Sequence, residues 1–268
     1  MSQGRHERRR IRILVKAFPQ PSQKYEETVC CAGITEDTGE ILRLYPIRYR
    51  RLDKNNQFER FDLVEMIIAK DSDPRPESYH VIEDSIKLIE SGKILSDQSK
   101  VQLWKPFISS SLNALHKDNK NTNKSLGIIK PDPGSIQFKV KLADKSNAED
   151  KKIADLVYKQ VSLIEDPLKP LARPKYSFYY HYTCGGHPHK HQIHDWEVQA
   201  TFINYKRHYK TEDEIIEKMT DMYQEIIPER NLHLIMGTMK AHPQTFIVIG
   251  LLRTGLDPEE LSKQGVLF

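Results

Sequence analysis

The sequence predicts an α+β protein: a β-rich, OB-like N-terminal barrel with helical insertions, followed by a C-terminal α/β-containing subdomain. Three observations lead there. Four short apolar runs crowd into the first seventy residues, and strands so closely spaced favour a small, strongly curved sheet or barrel. The clearest helical stripe comes late, at Ile215, Met219, Tyr223 and Ile226. Between them, "IEDPLKPLARPK" is a proline-studded linker. The expected division is therefore a barrel over 8–143, a helix and linker over 144–175, and a second unit over 176–268.

The elements follow in order. "IRILVKAF" alternates Ile11, Ile13 and Val15 with Arg12 and Lys16, the period of a half-buried strand. "ETVCCAGIT" is an apolar run ending at the turn "EDTGE", where Gly39 can take a positive φ. "ILRLYPI" places Leu42 and Leu44 opposite Arg43 and Tyr45, and "FDLVEMIIAK" is the fourth run. "RYRRLDKNNQFER" reads as an exposed basic connection between them. "YHVIEDSIKLIESGKI" is compatible with helix or strand. "KVQLWKPFISSSLNALHK" has helical spacing interrupted by Pro106, and "LGIIKPDPGSIQFKVKL" returns to β character around Pro131, Pro133 and Gly134. A helix is expected over 147–163. "YSFYYHYT" is strand-like, "WEVQATFINYKRHY" opens a helix, and Thr211 with Glu214 forms a capping box for the next. "TFIVIGLL", apolar on both phases, predicts a central strand covered on both faces.

Composition narrows the function classes. With 38% hydrophobic and 29% charged residues the chain is globular and polar. A net charge of +4 and a pI near 8.7 permit an anionic partner without demanding one. No run approaches the ~20 apolar residues of a membrane span, so no membrane partner is expected. The basic N-terminus is broken by Arg12 and Lys16, unlike a signal-peptide core. Three cysteines, with Cys30 and Cys31 adjacent and Cys184 alone, suggest a reducing, cytoplasmic setting. The Walker loop, the dinucleotide fingerprint, the Gly-x-Ser-x-Gly elbow and His-Glu-x-x-His are all missing from the sequence.

Two stretches carry candidate chemistry. In "RLYPIRYRR", Arg43, Arg48, Arg50 and Arg51 interleave with Tyr45 and Tyr49. Guanidinium groups suit phosphates and tyrosine rings suit unpaired bases, so these six form a candidate surface for single-stranded or structured nucleic acid. The competing reading is a strand edge whose charges discourage pairing or are neutralised by nearby acids. If phosphates are bound there, Arg48→Ala with Arg50→Ala weakens binding and flattens its salt dependence.

The second stretch is "CGGHPHKHQIHDWE". Cys184, His187, His191 and His194 have the paired spacing of zinc ligands, making zinc the candidate metal; the plain alternative is a solvated polar hairpin. Cys184 beside histidines also has the makings of a nucleophile. His187, His194, Asp195 and Glu197 define a further reading, a metal-dependent nuclease or phosphoesterase. Against it stands a simpler reading that explains all three residues with one helix start: Asp195 as the cap, Trp196 packed inward and Glu197 in the first turn. A protein–protein adaptor is the third class.

Three stretches taken together, "CCAGITEDTGEILRLYPIRYRRL", "CGGHPHKHQIHDWE" and "NLHLIMGTMKAHPQTFIVIGLL", resemble an uncharacterised bacterial "dual OB-containing domain" family. The resemblance implies paired OB-like barrels, an OB-type ligand and an accessory or defence-system role. It implies no catalytic residue. The leading expectation is a nucleic-acid-binding accessory protein.

Overall fold

The computed structural model describes residues 6–22, 24–70, 72–143 and 175–255. The first unit is a closed five-stranded barrel. Its strands are β1 (His6–Lys16), β3 (Glu26–Thr35), β4 (Ile41–Ile47), β5 (Leu63–Ala69) and β6 (Ser78–Glu90); the short β2 (Gln20–Ser22) pairs with the start of β3. Around the barrel the order is β1-β5-β6-β4-β3, and β3 returns to β1. All pairings are antiparallel except β4 with β6. Relabelled one to five, this is the order 1-4-5-3-2, that of an OB-like barrel. Ile11, Ile13, Leu44, Val64, Met66 and Phe58 fill its interior. The ambiguous segment 79–94 is strand through Glu90: β6 pairs along its length with β5, and its first residues pair with the middle of β4.

A bulge between Ile13 and Val15 shifts the β1 register against β3. The extra residue reverses the alternation. Ile11 and Ile13 point into the barrel, but Leu14 and Val15 both join the apolar layer outside it. Lys16 is thereby turned toward Tyr49 and Phe58 at the barrel's end.

Two helices, α1 (Asp97–Trp104) and α2 (Leu112–Thr122), lead out of the barrel. Ser96 and Ser111 cap them by accepting from Ser99 N and Ala114 N, so the stretch expected as one helix interrupted at Pro106 is two. The remaining strands form two three-stranded antiparallel sheets. One joins β8 (Gln137–Leu142), β9 (Tyr176–Cys184) and β10 (His187–Gln192). The other joins β7 (Leu126–Ile129), β11 (His233–Met239) and β12 (His242–Leu252). Helices α3 (Trp196–Tyr205) and α4 (Glu212–Thr220) pack on the first sheet, and α4 carries the expected Thr211–Glu214 capping box. The expected helix over 147–163 lies outside the described residues.

β7 and β8, which fall within the expected 8–143 unit, thus pair with strands of the later one. β12 is buried on both faces over much of its length, as expected, but it is the edge of its ladder, and β11 is central. Its outer side is protected by a single bridge, Ile193 to Val248, and by β1 of the barrel. Gly250 permits that approach, because a Cβ there would meet Val15 Cγ2 at 2.4 Å.

The two units share a core. Leu14, Val15, Ala32 and Ile34 from outside the barrel pack on Leu126, Ile128, Ile235, Ile249 and Leu252. At ~1.5–3 kcal/mol for each fully buried large apolar side chain, this layer holds the units as one body. It also covers the outer surface of β3 and β4. In open OB folds, that surface receives oligonucleotides.

Candidate functional site

Burial of the β3–β4 surface decides the fate of the basic stretch. Arg43 is 5% exposed. Its Nη2 donates to the Ser125 carbonyl and hydroxyl, both at 3.1 Å, so it is a tie between barrel and second unit. Arg48 Nε donates to Glu83 at 2.6 Å, Arg50 pairs with Glu27 at 3.0 Å, and Arg51 with Glu26 at 2.7 Å. Tyr45 is exposed, while Tyr49 is buried and donates to the Phe58 carbonyl. The six residues expected to form one surface therefore divide, and four arginines have partners within the fold. The N-terminal arginines behave alike: Arg8 pairs with Glu65, Arg9 with Glu40 and Arg12 with Glu90.

The histidine stretch is a strand, β10, rather than a loop. It turns back from β9 through Gly185 and Gly186, whose φ values of +61° and +76° suit a two-residue hairpin. Their N–H groups donate to the Asp132 carboxylate. Pairing sets Cys184, His187, His189 and His191 on one face of the hairpin. They do not converge on a point: among the described residues no group of three or more histidine, cysteine or acidic side chains is placed to hold a metal ion. Cys184 is buried and donates to the Lys130 carbonyl, and burial pushes its thiol pKa up, away from a nucleophile's range. His191 meets the Tyr182 hydroxyl at 3.1 Å. Burial lowers the pKa of both His191 and His194 to about 4. Cys184, His187, His191 and His194 are thus not brought together here as the ligands of one metal ion.

Asp195 and Glu197 also part company with the metallo-hydrolase reading. Asp195, 1% exposed, is the N-cap of α3 and accepts from Glu197 N at 2.8 Å. It also accepts from Leu251 N at 2.8 Å and from Arg60 Nη2 at 2.9 Å. Arg60 reaches Glu197 at 3.1 Å and donates to the Leu251 carbonyl. Both carboxylate oxygens of Asp195 are thus engaged in holding α3 against the barrel and β12. His187 sits at the far end of β10, beside the hairpin turn.

The fixed start of α3 creates an opening that the sequence did not reveal. A cleft of about 280 Å³ lies at the seam of the two units, lined by Lys16, Tyr49, Glu59, Arg60, Trp196 and Glu197. The Trp196 and Tyr49 rings meet edge to face at 5.3 Å. The Lys16 ammonium lies 4.2 Å from the Tyr49 ring centre and 5.4 Å from that of Trp196. It donates to the Phe58 carbonyl at 2.6 Å and pairs with Glu59 at 3.3 Å. Glu197 is half-exposed; burial raises its pKa while Arg60 opposes the rise. The cleft thus offers a flat indole, a cation and a carboxylate acceptor within one small space. Of these, the sequence suggested a functional role only for Tyr49 and Glu197, and it placed Trp196 in the packing of a helix start. Lys16 arrives through the β1 bulge and Arg60 through the β4–β5 connection.

No helix among the described residues is long and apolar enough to cross a membrane. No curated protein matches the chain. A family model described as a domain of unknown function (DUF8758) matches residues 7–107, which hold the barrel and α1. A second, described as a domain of unknown function (DUF8757), matches residues 108–266, more than half of the sequence. The chain belongs to the DUF8757 family, with a DUF8758 domain preceding that region.

Proposed function

We propose that the protein binds single-stranded nucleic acid at the seam cleft, as an accessory to an enzyme encoded elsewhere. The observation that carries this reading is the Trp196 indole beside the Lys16 ammonium and the Glu197 carboxylate. An unpaired base has a π-face for the indole, and the exocyclic amine of cytosine or guanine suits a carboxylate acceptor. A phosphate beside the base would find Lys16. The arginine stretch is the second candidate surface, and there a phosphate has to compete with Glu26, Glu27 and Glu83 for its guanidinium groups. The finer resemblance, a pair of barrels, would close the second unit by joining the β7 and β8 edges of its two sheets.

Fluorescence anisotropy of a labelled 12-nucleotide strand, in RNA and DNA forms, tests the proposal. Stacking on an aromatic side chain is worth about 1–3 kcal/mol per base. Trp196→Ala is therefore expected to weaken binding by roughly 5–150-fold, with Trp196→Phe retaining most of the affinity. Arg48→Ala with Arg50→Ala is expected to cost less than Trp196→Ala. A larger loss in the arginine pair moves the site to that stretch, and a strand that binds neither wild type nor variant removes the function.

A further inference from the structure

A second cleft, of about 410 Å³, opens on a neighbouring face of α3, farther along the helix, and is lined by Thr201, Asn204, Tyr205, Ile226, Arg230 and Arg253 among others. Its back wall is a π-helical turn, Asp221–Ile226, that continues α4. There Ile227 N donates five residues back to the Met222 carbonyl at 2.9 Å, and the buried Tyr180 hydroxyl donates to the Tyr223 carbonyl at 2.8 Å. Such widened turns recur at functional sites. This one places Met222, Tyr223 and Ile226 in the cleft. Thr254 N donates to the Arg230 carbonyl at 3.1 Å, which ties the loop after the π-turn to the end of β12. That tie brings Arg230 and Arg253 to one mouth.

The charge there is only partly answered: Glu197, which pairs with Arg60, is also drawn toward its ionised form by Arg253. No residue lining the cleft is acidic. Among the described residues neither guanidinium has a hydrogen-bond or ion-pair partner, unlike Arg43, Arg48, Arg50, Arg51 and Arg60. Three nearby acids have other partners: Asp221 pairs with Lys218, Glu225 accepts from Gln224, and Glu197 pairs with Arg60; Glu229, beside Arg230 in the chain, is exposed and does not line the cleft. Two forked guanidinium groups and the Asn204 amide supply more donors than a carboxylate can use. They match a phosphate with three acceptor oxygens and a charge of about −1.5 to −2. Tyr205, Met222 and Ile226 add an apolar wall for a planar ring.

We propose that this cleft binds a phosphate monoester carried on a planar ring, of the class of a nucleoside monophosphate. The phosphate bridges Arg230 and Arg253, and the ring lies toward Tyr205 and Ile226. The same chemistry is present in a free mononucleotide and in the 5′-phosphorylated end of a strand.

Isothermal titration of the full chain with AMP, adenosine and a 5′-phosphorylated or 5′-hydroxyl octanucleotide tests this. AMP is expected to bind saturably and adenosine at least about tenfold more weakly, because charge-assisted hydrogen bonds to the phosphate are lost. Arg230→Ala, at an exposed position, and Arg253→Lys are each expected to weaken AMP binding at least about fivefold, with unchanged melting temperature. Trp196→Ala is expected to leave AMP binding intact, which separates this cleft from the seam. Competition by AMP against only the 5′-phosphorylated strand identifies a strand end as a ligand; no such competition identifies the free mononucleotide. Equal affinity for AMP and adenosine, no saturable AMP binding, or AMP binding unmoved by both arginine variants overturns the proposal.

Discussion

Asp195→Ala is expected to lower the free energy of unfolding by about 3–5 kcal/mol, read from urea denaturation. The carboxylate is buried and answers three donors: Arg60, Leu251 N and Glu197 N. Removing it leaves the Arg60 guanidinium, itself largely enclosed, with only the half-exposed Glu197 as ionic partner. It also removes the α3 N-cap, worth about 0.5–2 kcal/mol on its own. Arg60→Met removes the other half of the same pair, so the double variant should lose less than the two single losses added. A loss below about 1 kcal/mol in Asp195→Ala would mean that the barrel and α3 are held by the shared apolar layer alone.

A second large effect is expected in acid. His191 and His194 both have a pKa near 4 in the folded chain, against 6.5 for an ordinary histidine. Burial is the main cause for each, and His189 and His116 add repulsion at His191. Both rings take a proton less readily when folded, so the unfolded chain binds more protons below pH 6.5. Their contribution is full above that pH and is lost as pH falls toward 4. By pH 5 the loss is about 2 kcal/mol for each ring. Denaturation midpoints measured from pH 8 to pH 5 should fall accordingly, and His191→Gln with His194→Gln should flatten most of the slope. A midpoint that holds constant over that range, or a slope untouched in the double variant, contradicts the burial assigned to these rings.

What the sequence disclosed follows from the range of the forces involved. Alternation is local, so the strands of the barrel were legible from Ile11, Ile13, Leu42 and Leu44. Capping is local too, and Thr211 with Glu214 and Asp195 as a helix start read directly. The arginine stretch was legible as charge but not as partnership, because Glu83 lies far along the chain and Ser125 still farther. The histidine stretch looked like a ligand set because spacing along a chain says nothing about which side chains converge. Strand pairing instead laid the histidines of one face in a row beside Tyr182. The seam cleft was illegible for a different reason: Lys16 reaches it only because a one-residue bulge reverses the phase of β1, and no residue type announces that bulge.

The chain has two tryptophans, and they stand in opposite circumstances. Trp104 is fully buried against Phe61, whereas Trp196 lines the seam cleft. Intrinsic tryptophan emission during titration with an unlabelled strand therefore reads the seam directly. The expected result is saturable quenching that disappears in Trp196→Phe while the Trp104 emission stays constant. Strand binding seen by anisotropy with no change in tryptophan emission, or quenching that survives in Trp196→Phe, would place the nucleic acid elsewhere on the protein.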